Sequence, residues 1–161
     1  MGALDKVVNA VGAELLQLRW VVRMPIPLYR HGLGWVFGSR ILMLEMRGRA
    51  SGRTRYVAVE CVMRPGPRTV VIVSGFGQRS QWYRNLQADP QVRVSIGRIR
   101  SRKATAILLS RQESAELLRQ FSEERGDELR HLVEIIARAR PGEKVDLRAV
   151  RLELDDPTGT V

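Results

Sequence analysis

Two histidines, His31 and His131, one cysteine, Cys61, and dispersed carboxylates make up the conventional catalytic side chains of this sequence. Glu128 and His131 have the Glu-x-x-His spacing of helical di-metal sites, but such sites need a second pair and further carboxylates, which the sequence lacks. No serine stands in a nucleophile-elbow context, so no Ser-His-Asp constellation is recognisable. Glu45 and Glu60 fall on neighbouring predicted strands, where they are expected to balance arginines rather than move protons. Cys61 alternates with Val57, Val59 and Met63 and reads as a structural thiol on the buried face of a strand. What the chain displays instead is arginine. The run Arg47-Gly48-Arg49-Ala50-Ser51-Gly52-Arg53-Thr54-Arg55 sets four arginines, two glycines and a serine between two apolar stretches. Guanidinium forks suit phosphate and carboxylate, and glycines let a backbone turn sharply or approach a ligand. The chemistry on offer is therefore anion binding, and any redox or transfer step would be carried by a bound cofactor.

The charge balance agrees. The chain has 161 residues, enough for one domain with a real core, and its 27 Lys+Arg against 17 Asp+Glu give a formal charge of +10. A fold does not require that excess; nucleic acid, an anionic membrane or a polyanionic small molecule would each answer it. A single cysteine excludes an internal disulfide framework. The phosphate-binding loop and the dinucleotide fingerprint are both missing: Gly48 and Gly52 lack a Lys-Ser/Thr ending, and Gly32-x-Gly34 does not follow a strand. No secretory leader is recognisable and no uncharged apolar run approaches the ~20 residues of a membrane span, so a soluble, cytoplasmic protein is expected.

The elements that must position the arginines are legible from periodicity. Leu4, Val7, Val8, Val11, Leu15, Leu18 and Val22 predict an amphipathic helix over 1–24, ended by Pro25 and Pro27, which would pack on the domain, cover a substrate or touch a membrane. Strands are expected at 41–47, 56–64, 69–74, 92–96, 104–109 and 150–154, with a basic turn running through Lys103. The arginine run is the tip of the first hairpin. A short helix around 82–86 stops before Pro90. Ser110 and Glu113 form a capping box that opens a helix through Phe121, Gly126 breaks it, and a second helix follows over 127–140. The core would span 41–154, with a frayed tail at 155–161 and no linker dividing domains. Six hairpin-linked strands with packed helices predict an α+β chain built on a small, mostly antiparallel barrel.

Three blocks together resemble the deazaflavin-dependent nitroreductase family, split β-barrel proteins of the FMN-binding-like type that bind coenzyme F420. They are Gly32-Leu33-Gly34 leading to Gly38-Ser39-Arg40, the hairpin tip from Arg47 to Arg55, and Trp82-Tyr83-Arg84-Asn85-Leu86-Gln87-Ala88-Asp89-Pro90-Gln91-Val92-Arg93-Val94. The resemblance implies an oxidoreductase in which reduced deazaflavin passes hydride to an organic acceptor, a quinone or another hydrophobic conjugated compound. No side-chain nucleophile would be needed and no metal. It also implies that Arg49, Ala50, Ser51 and Arg55 line the phosphate and polyglutamate tail. Tyr56, Val57, Ala58 and Val59, with Val73, Ser74 and Gly75, would run beside the ring, where Ser74 would bond ring heteroatoms. Gln81, Trp82, Tyr83, Arg84 and Asn85 would close the pocket. Two departures stand out: Ala50 replaces the family's usual lysine, and no tyrosine follows Tyr83. An FMN oxidoreductase on the same barrel, a non-enzymatic cofactor or lipid carrier, and a basic nucleic-acid-binding barrel are the competing readings.

Overall fold

The structure, a computed structural model, describes residues 25–157. The expected amphipathic helix over 1–24 and the last four residues of the tail lie outside them. Six antiparallel strands close into a barrel in the order β1-β2-β3-β6-β5-β4, where β1 is Ile41–Arg47, β2 Thr54–Gly66, β3 Thr69–Ser74, β4 Gln91–Ile96, β5 Ile99–Leu108 and β6 Arg148–Leu154. Closure leaves no sheet edge free for stray pairing. Among the described residues three α-helices accompany the barrel: α1 Pro25–Arg30, α2 Gln81–Ala88 and α3 Arg111–Ala139.

Alternation decides which side chains fill the barrel. Leu42, Leu44 and Met46 of β1 point inward with Val70 and Ile72 of β3, Val92 and Val94 of β4, Ala104 and Ala106 of β5, and Val150 and Leu152 of β6. Tyr83 and Leu86 of α2 join them. Each fully buried aliphatic side chain contributes about 1.5–3 kcal/mol. The two alanines of β5 are the small residues that a narrow barrel needs opposite bulky ones.

A second, smaller cluster lies outside the barrel, where Val71, Leu109 and Ala149 pack with Met63, Val73, Ile107 and Leu117 under the first half of α3. Met63 is there because the β2–β3 register shifts between Cys61 and Met63. The extra residue of a bulge turns the side chain that follows to the opposite face. Cys61 therefore stays with Val57 and Val59 against the barrel core, and Met63 does not.

α3 starts as its capping box predicts: Glu113 N donates to Ser110 Oγ (3.1 Å) and Ser110 N to Glu113 Oε2 (2.7 Å). The fully buried Ser114 pins the helix to the barrel by accepting from Ala149 N at 3.0 Å. The expected break falls at Arg125 (φ −143°, ψ 49°), beside Gly126, within one otherwise continuous helical element.

One expectation is corrected. The basic stretch through Lys103 is not a turn but the first half of β5; the turn itself is Gly97-Arg98, with Gly97 at φ +56°. Arg93 stands opposite Lys103 and Val94 opposite Arg102, so basic side chains decorate a strand paired with β4. Pro25 and Pro27 stand in the first turn of α1, where proline's fixed φ fits; the helix they are expected to end lies outside the described residues.

Candidate functional site

The hairpin tip between β1 and β2 is a built structure. Gly48 N donates to Arg53 O and Gly52 N to Gly48 O, each at 2.8 Å. Gly52 takes φ +68°, a left-handed conformation that a side chain would strain. Ser51 Oγ accepts from Arg53 N (3.2 Å) and lies 3.5 Å from an Arg55 guanidinium nitrogen. The hydroxyl thus braces the turn and approaches one of its arginines.

Arg49 does something different from its neighbours. Its Nη1 donates to Asn85 Oδ1 at 2.8 Å and its Nη2 to Gln81 Oε1 at 2.6 Å, both on α2. The Arg49 backbone N–H reaches the same Asn85 oxygen at 3.3 Å. Asn85 is buried, so this clasp fixes the tip against the helix at a shielded point. Arg47, Arg53 and Arg55 are exposed and make no ion pair among the described residues. The amides of Ala50 and Ser51 likewise have no acceptor among the described residues. Adjacent uncommitted N–H groups beside unpaired guanidiniums are the donor set that an anionic, phosphate-bearing tail requires. The tip fits such a group.

α2 presents two surfaces. Tyr83 is buried in the barrel core, where desolvation raises its phenol above the ordinary value; Arg148 opposes the shift and Asp146 adds to it. Trp82, half-buried, meets the Tyr83 ring edge-on, with centroids 6.1 Å apart at 75°. Gln81 and Arg84 are exposed. Of the five α2 residues singled out from sequence, then, Gln81, Trp82 and Arg84 reach the surface, Asn85 holds Arg49, and Tyr83 is core.

The strips on β2 and β3 divide similarly. Val57 and Val59 face the core, opposite Leu44 and Leu42 across the ladder, while Tyr56 and Ala58 alternate to the outer face. The Arg30 guanidinium of α1 sits 5.2 Å from the Tyr56 ring centroid. Ser74 is buried, and its hydroxyl is spent on Gly77 O (3.3 Å) and Ser80 Oγ (2.9 Å), which anchors the start of α2. Val73 packs outward beneath α3. Gly75 is approached closely by Ile136 of α3: a Cβ on Gly75 would lie 2.5 Å from Ile136 Cγ2.

Sequence reasoning missed that contact, and it missed the contact of Arg140 with Phe76 (4.6 Å to the ring centroid). The second half of α3 and the turn after it therefore wall the β3 end of the site. Glu60 lies within electrostatic reach of Arg40, His131 and Glu128, a charge-balanced cluster, and Glu45 stands opposite Arg93 on β4. Among the described residues no group of three or more His, Cys, Asp or Glu could hold a metal.

A closed six-stranded antiparallel barrel with a cationic hairpin tip clasped to a short helix defines a split-barrel cofactor-binding protein. Comparison with known proteins gives the family. Residues 28–130 match the model of the F420H(2)-dependent quinone reductase family, and the chain belongs to that family. A Mycobacterium tuberculosis protein provisionally named an F420H(2)-dependent quinone reductase is 36% identical over 90 residues, which cover 55% of this chain and 74% of that protein. Among solved structures, an F420H2-dependent reductase (FDR-A) has TM-score 0.45 and 24% identity, covering 71% of this chain and 94% of the other. A Listeria innocua protein of the pyridoxamine 5'-phosphate oxidase type has TM-score 0.47 and 12% identity, covering 80% and 94%. The chain is an F420-dependent oxidoreductase.

Proposed function

We propose that this protein binds reduced F420 with its phosphate and polyglutamate tail on the β1–β2 tip and delivers hydride to a hydrophobic quinone. The observation that carries the reading is the division of labour among the arginines. Arg49 is consumed by Asn85 and Gln81, and this leaves Arg47, Arg53 and Arg55 held on a rigid turn without carboxylate partners. Ala50 takes lysine's place in the tip, so the tail is bound by arginine forks and the Ala50 and Ser51 amides rather than by a lysine point charge. Arg49 acts as a positioning residue.

When bound, the deazaflavin supplies the two-electron hydride step. The protein's share is to orient the ring between the tip, the exposed side of α2 and the β3 end near Gly75, and to exclude water there. Trp82, half-buried at the edge of α2, offers the apolar plane against which a ring or a flat acceptor can rest. Burial raises the Tyr83 phenol above its ordinary value, and Ser74 braces the start of α2. With the hydride step carried by the cofactor, the side chains need supply only binding and orientation.

The test is steady-state reduction of a soluble quinone such as menadione by F420H2, followed by the return of oxidised F420 absorbance, with a nitroaromatic compound as a parallel acceptor. Turnover with the quinone supports the reading. Normal F420 binding with turnover only on the nitroaromatic would overturn the choice of acceptor.

A further inference from the structure

The cofactor reading leaves one strongly marked surface unused. Leu33, Trp35 and Val36 are the large hydrophobic residues that stand exposed among those described, at 44%, 60% and 49%. They stand close together, Trp35 and Val36 in the 3-10 turn Gly34–Phe37 and Leu33 immediately before it. The turn is held in place. Leu33 N donates to Leu28 O at 2.8 Å, Val36 N to Leu33 O at 3.2 Å, and Gly38 N to Trp35 O at 3.0 Å. Gly34 is pressed against the Tyr29 ring so closely that a Cβ there would overlap it. Trp35 is therefore presented to solvent by a backbone that packing fixes.

The surroundings are cationic. A Cβ on Gly32 would meet the Arg100 guanidinium at 2.8 Å, and one on Gly97 would lie 3.6 Å from Gly38 O, so the β4–β5 turn lies beside the hydrophobic tip. Segments 25–44 and 91–103 together hold Arg30, Arg40, Arg93, Arg98, Arg100, Arg102 and Lys103, and no aspartate or glutamate. Elsewhere, long stretches of α3 pair arginine with glutamate or aspartate at i,i+3 and i,i+4. The β4–β5 turn thus brings Arg98 and Arg100 beside the turn that carries the exposed tryptophan.

We propose that this end of the barrel docks on an anionic lipid bilayer, with Leu33, Trp35 and Val36 entering the headgroup–acyl boundary and Arg98 and Arg100 lying against lipid phosphates. Tryptophan prefers that boundary because its ring is apolar and its N–H remains hydrated. Basic residues near an anionic surface add to that attraction. Lipid fits better than single-stranded nucleic acid, since two of the three exposed residues are aliphatic and offer no plane for a base to stack on. The patch sits at the Ile41 end of β1, and the arginine tip at the Arg47 end, so the length of a seven-residue strand, about 23 Å, separates them. Membrane docking and cofactor binding can consequently fail independently.

The experiment is co-sedimentation of the full chain with phosphatidylcholine vesicles, with and without phosphatidylglycerol. Leu33→Ser/Trp35→Ser and Arg98→Gln/Arg100→Gln are compared with the wild type. Circular dichroism melts and solution F420 titration of each variant serve as controls. Wild type is expected on the anionic vesicles only. Each double variant is expected to lower the bound fraction at least about tenfold while folding and F420 affinity hold. Added salt should release wild type and have little further effect on the arginine variant. Equal binding to neutral and anionic vesicles, undiminished binding of Leu33→Ser/Trp35→Ser, or a preference for an oligonucleotide or an acidic protein over anionic vesicles would each overturn the proposal.

Discussion

Arg49 and Asn85, 36 residues apart, are joined twice: the guanidinium of one donates to the amide oxygen of the other at 2.8 Å, and the Arg49 backbone N–H reaches the same atom at 3.3 Å. This one acceptor converts a hairpin tip, which would otherwise be free to swing, into a fixed ledge beside α2. Because Asn85 is buried, the bonds are shielded from competition with water and their loss leaves a charge short of a partner.

Asn85→Leu should therefore cost about 1–3 kcal/mol of stability and weaken F420 about tenfold, with little change for a deazaflavin fragment that has no tail. Asn85→Asp keeps an acceptor for both donors and should recover most of the affinity. Calorimetric melts and fluorescence titrations of the two variants read this out; identical losses for both would show that Asn85 acts by bulk packing alone.

Arg53→Ala and Arg55→Ala remove guanidiniums that have no internal partner, so stability should change by less than about 0.5 kcal/mol. Affinity for F420 should fall roughly ten- to hundredfold for each, as expected for a charge-assisted hydrogen bond worth about 1.5–3 kcal/mol. The salt dependence of binding should weaken in step. A tail-less fragment that loses as much as intact F420 would place these residues elsewhere.

Gly75→Ala introduces a methyl group 2.5 Å from Ile136 Cγ2, which no adjustment of a few tenths of an ångström relieves. The variant should lose about 1–3 kcal/mol. Ile136→Ala in the same chain should recover part of the loss, and the double-mutant cycle measures that coupling. Additive losses would mean that the second half of α3 does not rest on β3.

Tyr29 supplies a pH prediction. Its hydroxyl donates to Ile41 O, and burial pushes its phenol from 10.0 up to about 12. A group whose value is raised on folding is protonated more readily in the folded state. Its contribution is complete below pH 10 and is lost as pH rises towards about 12. The melting temperature of wild type should fall across that window more steeply than that of Tyr29→Phe, which has no proton to lose. Parallel curves would deny the coupling.

Much of this architecture can be read from residues alone. Strand periodicity places β1 and β3 at the bounds they adopt, and the Ser110–Glu113 box locates the start of α3. β5 was cut short because Arg100, Arg102 and Lys103 look like a solvated turn; pairing with β4, a tertiary fact, makes them strand. Met63 was assigned to the face of Cys61 because alternation counts residues and cannot register a bulge. At the site, composition and resemblance bring out the tip and α2, but not the bond between them. Only the fold brings Asn85 to Arg49, and it also shows that the Ser74 hydroxyl braces the start of α2 and that the Tyr83 ring packs in the core. Ile136 escaped notice for the same reason: nothing local marks one aliphatic residue of a helix as the neighbour of Gly75.

The central claim, an anion-binding tip that holds the tail of F420, is tested most directly by titrating the full chain with F420, with a deazaflavin lacking phosphate and glutamates, and with FMN, following fluorescence. The account predicts micromolar or tighter binding of F420, markedly weaker binding of the tail-less ring and of FMN, and loss of the difference in Arg53→Ala/Arg55→Ala. Equal affinity for F420 and the tail-less ring, or tighter binding of FMN, would contradict it.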